Sequence, residues 1–408
     1  MRFKQIAKRR FKKRMNEGDL QCHCRPRSGP FVVALLYNNN GMATWCWEAA
    51  HALYELGERV ILVASTGVAL PGKPAVEVIT IDVTEKPQSQ QARIARAIKT
   101  GRRHLSPGPD GVLVQIHVSL ANRGIQPSAY ILNQSSLADR SIPCPQVIAA
   151  WAYPVSILSY LRKIPLLASG KSMETLTHTA LEWVGWWRRD WRGYRTADRV
   201  LPVSKALRTN LQRRSVASDL AYPGTYVSSV PDRKSGGHRL LMAAVELGEP
   251  RKRIKWMLDA MKEVRLPQGT VLQLVGESDD SIRRAAAHIH CPVELLGRVR
   301  RQELQEIMQQ SHIFCFGSLL DDWGYVLVEA MANGLLPVAP AISPFDEIVG
   351  DVGPCYRPKS KDDFTRALCL AISSSAEGMG RKAWERAQEL FSRQAFGRSI
   401  LESVARIP

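Results

Sequence analysis

The chain has 408 residues, of which 45% are hydrophobic and 23% are charged, so it is a globular protein long enough for two domains. Its formal net charge of +18 indicates polyanionic partners, such as nucleotide diphosphates, anionic lipid head groups or nucleic acid. No nucleic-acid recognition motif accompanies that charge, so a nucleic-acid-binding protein is the less favoured class.

The cysteines and the hydrophobic runs predict a cytoplasmic protein. Eight cysteines are scattered along the chain, several of them in predicted strands or helices, which is typical of free thiols in a reducing compartment. Cys22-His23-Cys24 has no second Cys/His pair nearby, so no metal site is predicted. No signal peptide is expected before Phe31. The longest uncharged run, Ser141 to Leu161, contains three prolines and is too interrupted to span a bilayer.

Residues 1–29 precede the first predicted strand and are strongly basic. Residues 1–15 carry eight positive charges and no negative charge, with five apolar side chains on one helical face. This pattern is typical of an amphipathic helix that binds an anionic membrane, which would place the protein on the inner face of that membrane. A solvated, disordered tail explains the same residues. Both interpretations remain open.

Strands and helices alternate between residues 30 and 228. After Asn38 to Gly41, predicted as a turn, a helix is predicted from about Thr44 to Leu56, and another near Gln90 to Thr100. Ser204 is predicted to cap a helix that runs through Leu211. The predicted strands are Phe31 to Tyr37, Arg59 to Ala64, Val76 to Ile81, Gly111 to Val118, Gln146 to Trp151 and Arg199 to Val203. Such alternation predicts a doubly wound parallel sheet, whose ligands bind at the carboxyl ends of the strands.

A tryptophan stripe lies late in this first domain. Its members recur at helical spacing and alternate with arginines: Trp183, Trp186, Trp187 and Trp191. The pattern is typical of a buried helix face whose arginines extend to solvent. It also suits a surface that stacks sugars or nucleobases, or one that lies at a membrane interface.

A linker-like segment at residues 228–238 separates this domain from a second one at residues 229–380. The predicted strands there begin with Leu240 to Val245, Val271 to Val275 and Val293 to Leu296, and the predicted helices are Ile254 to Met261 and Gln302 to Gln310. Residues 381–408 are helical in pattern.

The segment from His312 to Val349 is the most informative part of the chain. A short apolar strand, Ile313 to Phe316, leads through a loop into a helix that begins at Trp323 or Gly324. Gly334 ends the helix as a left-handed cap, and a second apolar strand, Leu335 to Ala339, follows. This strand, loop, helix and strand predict one unit of a parallel sheet.

The start of that helix is a predicted anion site. Its first N–H groups, from Gly324, Tyr325 and Val326, have no partner within the helix, and the aligned peptide dipoles add positive charge. Asp321 lies before the helix and Glu329 lies inside it. A carboxylate accepts two parallel bonds from a vicinal diol, so the site suits a ligand that carries phosphate and diols. A nucleotide sugar has both.

The residues of this segment resemble the donor-site signature of glycosyltransferase family 4, whose members are retaining enzymes of the GT-B fold. The matching frame is Ser318-x-x-Asp321-x-x-Gly324-x-x-x-x-Glu329-Ala330-Met331-Ala332-x-Gly334-x-x-Pro337-Val338, with Glu347 later. The resemblance implies an α/β protein of two Rossmann-like doubly wound domains that face a central cleft. It also implies that residues 381–408 return to the first domain.

The resemblance assigns the donor-binding roles to particular residues. Glu329 would hold the ribose hydroxyls, Asp321 the hydroxyls of the donor sugar, and the Tyr325 and Val326 amides the diphosphate. Lys252 matches the family's diphosphate-binding lysine. In the family, a glycine comes directly after this lysine. Further candidates are Arg251 as a substitute for the family's arginine, Gly297 and Arg298 beside the nucleobase, and Gly41 beside the donor phosphate across the cleft.

Some positions depart from the family pattern. Asp321 replaces the usual glutamate, Ser343-Pro344 replaces two glycines, and the family's better-known histidine is absent near Trp151. His117, predicted at the carboxyl end of a strand, is a candidate catalytic residue where the family often has a histidine. A structural histidine is the alternative.

The resemblance implies transfer of a sugar from a UDP- or GDP-sugar to a glycan or lipid-linked acceptor, with retention and without a metal. Such a reaction belongs to envelope or exopolysaccharide synthesis. Two alternatives remain open: a relative that binds nucleotide sugars without catalysis, and a sugar transferase that acts on nucleic acid.

Overall fold

The computed structural model describes residues 29–36, 40–70, 72–82, 112–151, 191–229, 238–319, 321–374 and 376–408. The basic segment at 1–15 and the cysteine triplet at 22–24 lie outside the described residues. The predicted helix at 90–100 and most of the tryptophan stripe lie outside them too. Of that stripe only Trp191 is described. It is buried, with the Arg214 guanidinium 4.4 Å from the centre of its ring.

The first domain contains a six-stranded parallel sheet. Its strands are β1 (Phe31–Leu35), β2 (Val60–Ser65), β3 (Glu77–Ile81), β4 (Ala129–Leu132), β5 (Gln146–Ala150) and β6 (Arg199–Pro202). The helices described around it are α1 (Asn40–Glu55), α2 (Val112–Ala121) and α3 (Lys205–Gln212). The strand order is β3-β2-β1-β4-β5-β6.

The second domain contains another six-stranded parallel sheet, in the order β12-β11-β10-β7-β8-β9. Its strands are β7 (Arg239–Glu246), β8 (Val271–Glu277), β9 (Val293–Gly297), β10 (Ile313–Cys315), β11 (Leu336–Pro340) and β12 (Cys355–Tyr356). Its helices, followed by the last two of the chain, are α4 (Ile254–Met261), α5 (Asp280–Ala286), α6 (Arg301–Gln310), α7 (Tyr325–Ala332), α8 (Phe345–Val349), α9 (Lys361–Ser373), α10 (Ala376–Leu390) and α11 (Arg393–Ala405).

Both sheets have the same topology, and the predicted fold class is confirmed. Counted from the first strand of each domain, both orders are 3-2-1-4-5-6, the doubly wound arrangement. The strand order reverses between β1 and β4 in the first sheet and between β7 and β10 in the second. Ligands of such sheets bind beyond the carboxyl ends of the strands at this reversal. The loops after β7 and β10 are therefore the expected location of a site.

One predicted strand is wrong. Gly111 to Val118 was expected to be a strand, but Val112–Ala121 is the helix α2, and the strand that pairs with β1 on the side away from β2 is Ala129–Leu132. The apolar residues of α2 bury one face at helical spacing: Val112, Leu113, Ile116, His117 and Leu120. His117 thus lies within a helix instead of at the end of a strand. The other predicted strands and helices that are described agree with the structure to within two residues at most ends.

The first helix begins earlier than predicted. Its expected start was Thr44, after a turn at Asn38 to Gly41, whereas α1 starts at Asn40. Gly41 is therefore in the first turn of a helix and not in a loop.

The last helix packs against the first domain. Phe396 of α11 contacts Trp45 of α1 edge to face, with ring centroids 5.6 Å apart. Gly397 permits the close approach, because a Cβ there would lie 2.8 Å from the Ala52 carbonyl oxygen. The cluster of buried apolar residues around β1 includes Phe396 and Ile400. Helix α11 is thus part of the core of the first domain.

Candidate functional site

The loop after β10 and the loop after β7 meet at the strand-order reversal. The Leu319 N–H donates to the Arg251 carbonyl oxygen at 3.2 Å. Gly317 allows this contact, because a Cβ at that position would lie 2.7 Å from the Lys252 carbonyl oxygen. The backbone therefore holds Arg251 and Lys252 against the segment that leads into α7.

Asp321 is bound by two cations. Arg251 Nη1 lies 2.6 Å from Asp321 Oδ1, and Lys252 Nζ lies 2.5 Å from Asp321 Oδ2. Arg251 Nε also pairs with the Glu249 carboxylate. The Asp321 and Lys252 side chains are largely buried, so their ion pair is less screened than a pair at the surface. Of the predicted donor-site residues, the structure brings Asp321, Lys252 and Arg251 into direct contact.

Helix α7 begins beside this cluster, and its first backbone N–H groups have no hydrogen-bond partner among the described residues. Gly324 has φ 86° and ψ 54°, a left-handed conformation that favours glycine, and a Cβ there would lie 3.2 Å from Phe345. Within the described part of the chain, the amides of Tyr325 and Val326 have no hydrogen-bond partner, whereas those of Leu327 and Val328 donate to the Gly324 carbonyl. The predicted anion-binding donors are therefore available.

Arg253 occupies the position where the resembled family has glycine. It has φ 57° and ψ 27°, a conformation that is strained for a residue with a side chain. Its guanidinium carbon lies 3.7 Å from the centre of the Trp256 ring, and burial lowers the pKa of the group. The stacking on Trp256 offsets part of the backbone strain.

Glu329 takes part in an ion pair that its sequence neighbourhood does not reveal. Arg301 Nη2 lies 3.2 Å from Glu329 Oε1 and also 3.2 Å from Glu48 Oε1. Glu48 belongs to α1 of the first domain and is fully buried, and its other oxygen lies 2.6 Å from Arg393 Nε. Burial raises the pKa of the Glu329 carboxyl, Arg301 lowers it, and Glu48 raises it again. Arg301 thus forms an ion pair with one carboxylate from each domain.

Tyr325 lies close to these carboxylates. Its hydroxyl is buried with no partner among the described residues, and its ring packs on the apolar cluster of the first domain. Burial, with Glu48 and Glu329 nearby, raises the pKa of Tyr325 well above its usual range, so the hydroxyl stays protonated.

Glu347 also connects the two domains. Both of its carboxylate oxygens accept from the Lys205 N–H, at 2.9 and 3.0 Å, at the start of α3. Tyr222 donates its hydroxyl to the same carboxylate and stacks on Trp323 at 5.5 Å between ring centroids. A carboxylate at a helix start complements the helix dipole. The Glu347 contacts hold α8 against the first domain, and the stacking of Trp323 on Tyr222 holds the segment before α7 there.

The remaining candidates lie apart from the ion-pair cluster. Gly297 ends β9 with φ 67°, and Arg298 is exposed, with its Nη1 3.3 Å from Glu277 Oε1. Both are at the carboxyl edge of the second sheet. His117 is buried in α2, where its Nδ1 lies 2.9 Å from the Tyr130 hydroxyl and burial lowers its pKa. The strand position that made it a catalytic candidate does not exist, and the structure gives it a packing role.

Residues 238–374 match the family model described as "Glycosyl transferases group 1". An MMP alpha-(1->4)-mannosyltransferase of Mycolicibacterium hassiacum is 25% identical over 240 residues, 52% of this chain and 57% of that protein. A phosphatidyl-myo-inositol mannosyltransferase of Mycobacterium tuberculosis is 33% identical over 111 residues, 26% of this chain and 29% of that protein. The matched part thus spans little more than half of the first relative and less than a third of the second.

The solved structure of HepE from Anabaena in complex with UDP and glucose has the same fold. It aligns with a TM-score of 0.61 at 15% identity, over 93% of this chain and 100% of that one. At such identity the likeness shows the fold alone. Together with the family match, it confirms the resemblance inferred from the frame around Asp321 and Glu329. Over residues 238–374 this chain therefore resembles the group 1 glycosyl transferases, and the chain as a whole has the GT-B fold.

Proposed function

We propose that this protein transfers a sugar from a nucleoside diphosphate sugar, a UDP- or GDP-sugar, to a glycan or lipid-linked acceptor. One observation carries the proposal. At the strand-order reversal of the second sheet, Lys252 and Arg251 meet Asp321 beside the open amides of α7, and Glu329 lies on the same helix. Cations and amides that could bind a diphosphate therefore lie next to carboxylates that could bind the hydroxyl groups of a sugar.

The charges suit a departing diphosphate. Lys252, Arg251 and the α7 amides would stabilise the negative charge that develops as the bond between the anomeric carbon and the diphosphate breaks. The acceptor oxygen would bond to the same carbon from the same face, which retains its configuration, and its proton would pass to the leaving diphosphate. No protein nucleophile and no metal takes part in this scheme, in which the enzyme positions the reactants and stabilises charge.

The acceptor class is proposed from the relatives. Two of the relatives are mannosyltransferases, and one of them is named for phosphatidyl-myo-inositol, a lipid. Among the described residues, no helix combines the length and the apolar character needed to cross a bilayer. We place the enzyme in the cytoplasm, with residues 1–15 as its contact with an anionic membrane surface, in envelope or exopolysaccharide synthesis.

A panel of nucleotide sugars tests this function. We expect one UDP- or GDP-sugar to raise the melting temperature, because a ligand that binds only the folded state stabilises it. The same compound should be hydrolysed slowly and transferred when an acceptor is present. Binding without turnover on any acceptor would instead identify a binding-only relative, and no binding of any member would refute the proposal.

Replacing Asp321 by glutamate is expected to preserve transfer to within about tenfold, because the longer side chain still reaches Arg251, Lys252 and the donor. Asp321→Asn should lose far more activity, since it removes the carboxylate that Lys252 and Arg251 share and leaves Arg251 paired with Glu249 alone. The measurement is kcat/KM with the donor that the panel identifies. Asp259→Glu is the matched control, because Asp259 pairs with Lys255 and Lys262 on and just after α4. Complete loss in Asp321→Glu would show that the site is shaped for a shorter carboxylate.

A further inference from the structure

Four charged side chains of alternating sign connect the first domain to Glu329. Arg393 contacts one oxygen of Glu48, the other oxygen of Glu48 contacts Arg301, and Arg301 contacts Glu329. The Glu48 carboxylate is fully buried, and Arg393 is largely buried. Arg393 also lies 2.9 Å from Glu55, so the first two members of this series are anchored from the first domain. Arg301 is the most exposed of the four, and Glu329 is mostly buried.

We propose that Arg301 is a positioning residue, which keeps the Glu329 side chain ionised and oriented toward the donor's ribose. Glu48 of the other domain acts against the ionised form of Glu329. This inference rests on the proposed function, because it concerns how the ribose-binding group of the same site is prepared. It adds two residues that the family frame does not contain.

The geometry leaves Glu329 one oxygen for a ligand. Arg301 contacts Oε1, and among the described residues no group is bonded to Oε2. A carboxylate held at one oxygen presents the other in a fixed direction, and Oε1 retains a second lone pair for a neighbouring hydroxyl. Arg301 itself is fixed by Glu48, since the same Nη2 atom contacts both carboxylates.

Electrostatics give Arg301 its second effect. Burial opposes the charged form of Glu329, and Glu48 opposes it further, whereas Arg301 favours it. Burial raises the pKa values of the Tyr325 hydroxyl and the Cys46 thiol, so these two neighbours remain neutral. Arg393 compensates Glu48 from the far side. Without Arg301, Glu329 would face Glu48 without a cation between them.

The test compares Arg301→Gln with the wild type. The dissociation constants of UDP and GDP are measured by calorimetry between about pH 5.5 and 8.5. The variant should bind the preferred nucleotide about tenfold more weakly at the acid end, because loss of Arg301 raises the pKa of Glu329 and more of its carboxyl is then protonated. The difference between the two affinities should shrink as the pH rises, because Glu329 then ionises without help, and the difference that remains measures the lost orientation of the carboxylate. Arg301→Lys should restore most of the wild-type profile.

A second substitution makes the test specific. Adding Glu48→Gln to Arg301→Gln should move the profile back toward lower pH, because it removes the opposing charge while its amide oxygen still accepts from Arg393. Adding Glu55→Gln should not move it, although Glu55 lies on the same helix and also pairs with Arg393. In a Glu329→Gln background, adding Arg301→Gln should change the affinity by the same factor at every pH, because the remaining pH dependence comes from the nucleotide's terminal phosphate, whose pKa is about 6.

Three outcomes overturn the inference. If Arg301→Gln lowers affinity equally at every pH, Arg301 has a structural role only, and if it changes nothing, the ion pair has no bearing on the ribose. If Glu55→Gln acts as Glu48→Gln does, the effect does not pass through Glu48. A wild-type protein that binds neither nucleotide nor any nucleotide sugar would overturn the proposed function itself, and that result is distinct from the other three.

Discussion

Glu329→Ala is expected to weaken binding of the preferred nucleoside diphosphate about 100-fold at neutral pH, which corresponds to about 2.7 kcal/mol. The substitution removes a charged acceptor from the ribose hydroxyls and leaves them facing a partly buried site without partners. It also frees Arg301 to pair with Glu48 alone. Calorimetric titration with UDP and GDP measures the change.

Glu306→Ala is the matched control for this substitution, because Glu306 lies on the exposed part of α6 and contacts only Gln302 among the described residues. Its affinity should stay within about twofold of wild type. An unchanged affinity in Glu329→Ala would contradict the ribose assignment. An equal loss in both variants would point to a general loss of folding, which the melting temperature would reveal.

Lys252→Met is expected to lower kcat by about 100- to 1000-fold, the range observed when one group that stabilises developing charge is removed. Lys252 is the cation closest to Asp321, and its charge would act mainly as the diphosphate departs. Methionine keeps most of the side chain's length and packing. Arg251 can still pair with Asp321, so the loop should keep its place.

Lys255→Met provides the comparison for Lys252→Met. Lys255 lies three residues later, is exposed, and pairs with Asp259 in the same helix. Single-turnover measurements with saturating donor separate the chemical step from binding. If Lys252→Met retains kcat and raises only KM, Lys252 contributes to binding and not to departure of the diphosphate.

The fold was largely predictable, because each strand of a parallel sheet is a short apolar run that ends at a turn. The exception shows where this reasoning fails. Val112 to Val118 is rich in β-branched residues, which favour a strand, but its buried residues recur every three or four positions and pack as a helix. The strand that replaces it, Ala129–Leu132, has only four residues and gives little pattern to detect.

The candidate site was predictable where its residues are close in sequence or match the family pattern, as Lys252 does. Asp321, Gly324 and Glu329 fall within one loop and one helix, so their spacing was sufficient. Arg301 and Glu48 were missed because they meet across the domain interface, 253 residues apart in sequence. The only signal in the sequence is that a positive residue, Arg301, could pair with the negative residues Glu48 and Glu329. Because charges of either sign are common throughout the chain, that signal does not single these residues out.

The packing of α11 on α1 has a consequence for how the protein is made. Arg393 and Glu48 are 345 residues apart, and the Trp45 face of the first domain is covered by Phe396. During synthesis that apolar face stays uncovered until Arg393–Ala405 has left the ribosome. Newly made first domains are therefore exposed to aggregation, and a nascent chain stalled before residue 393 should bind chaperones that a finished one does not.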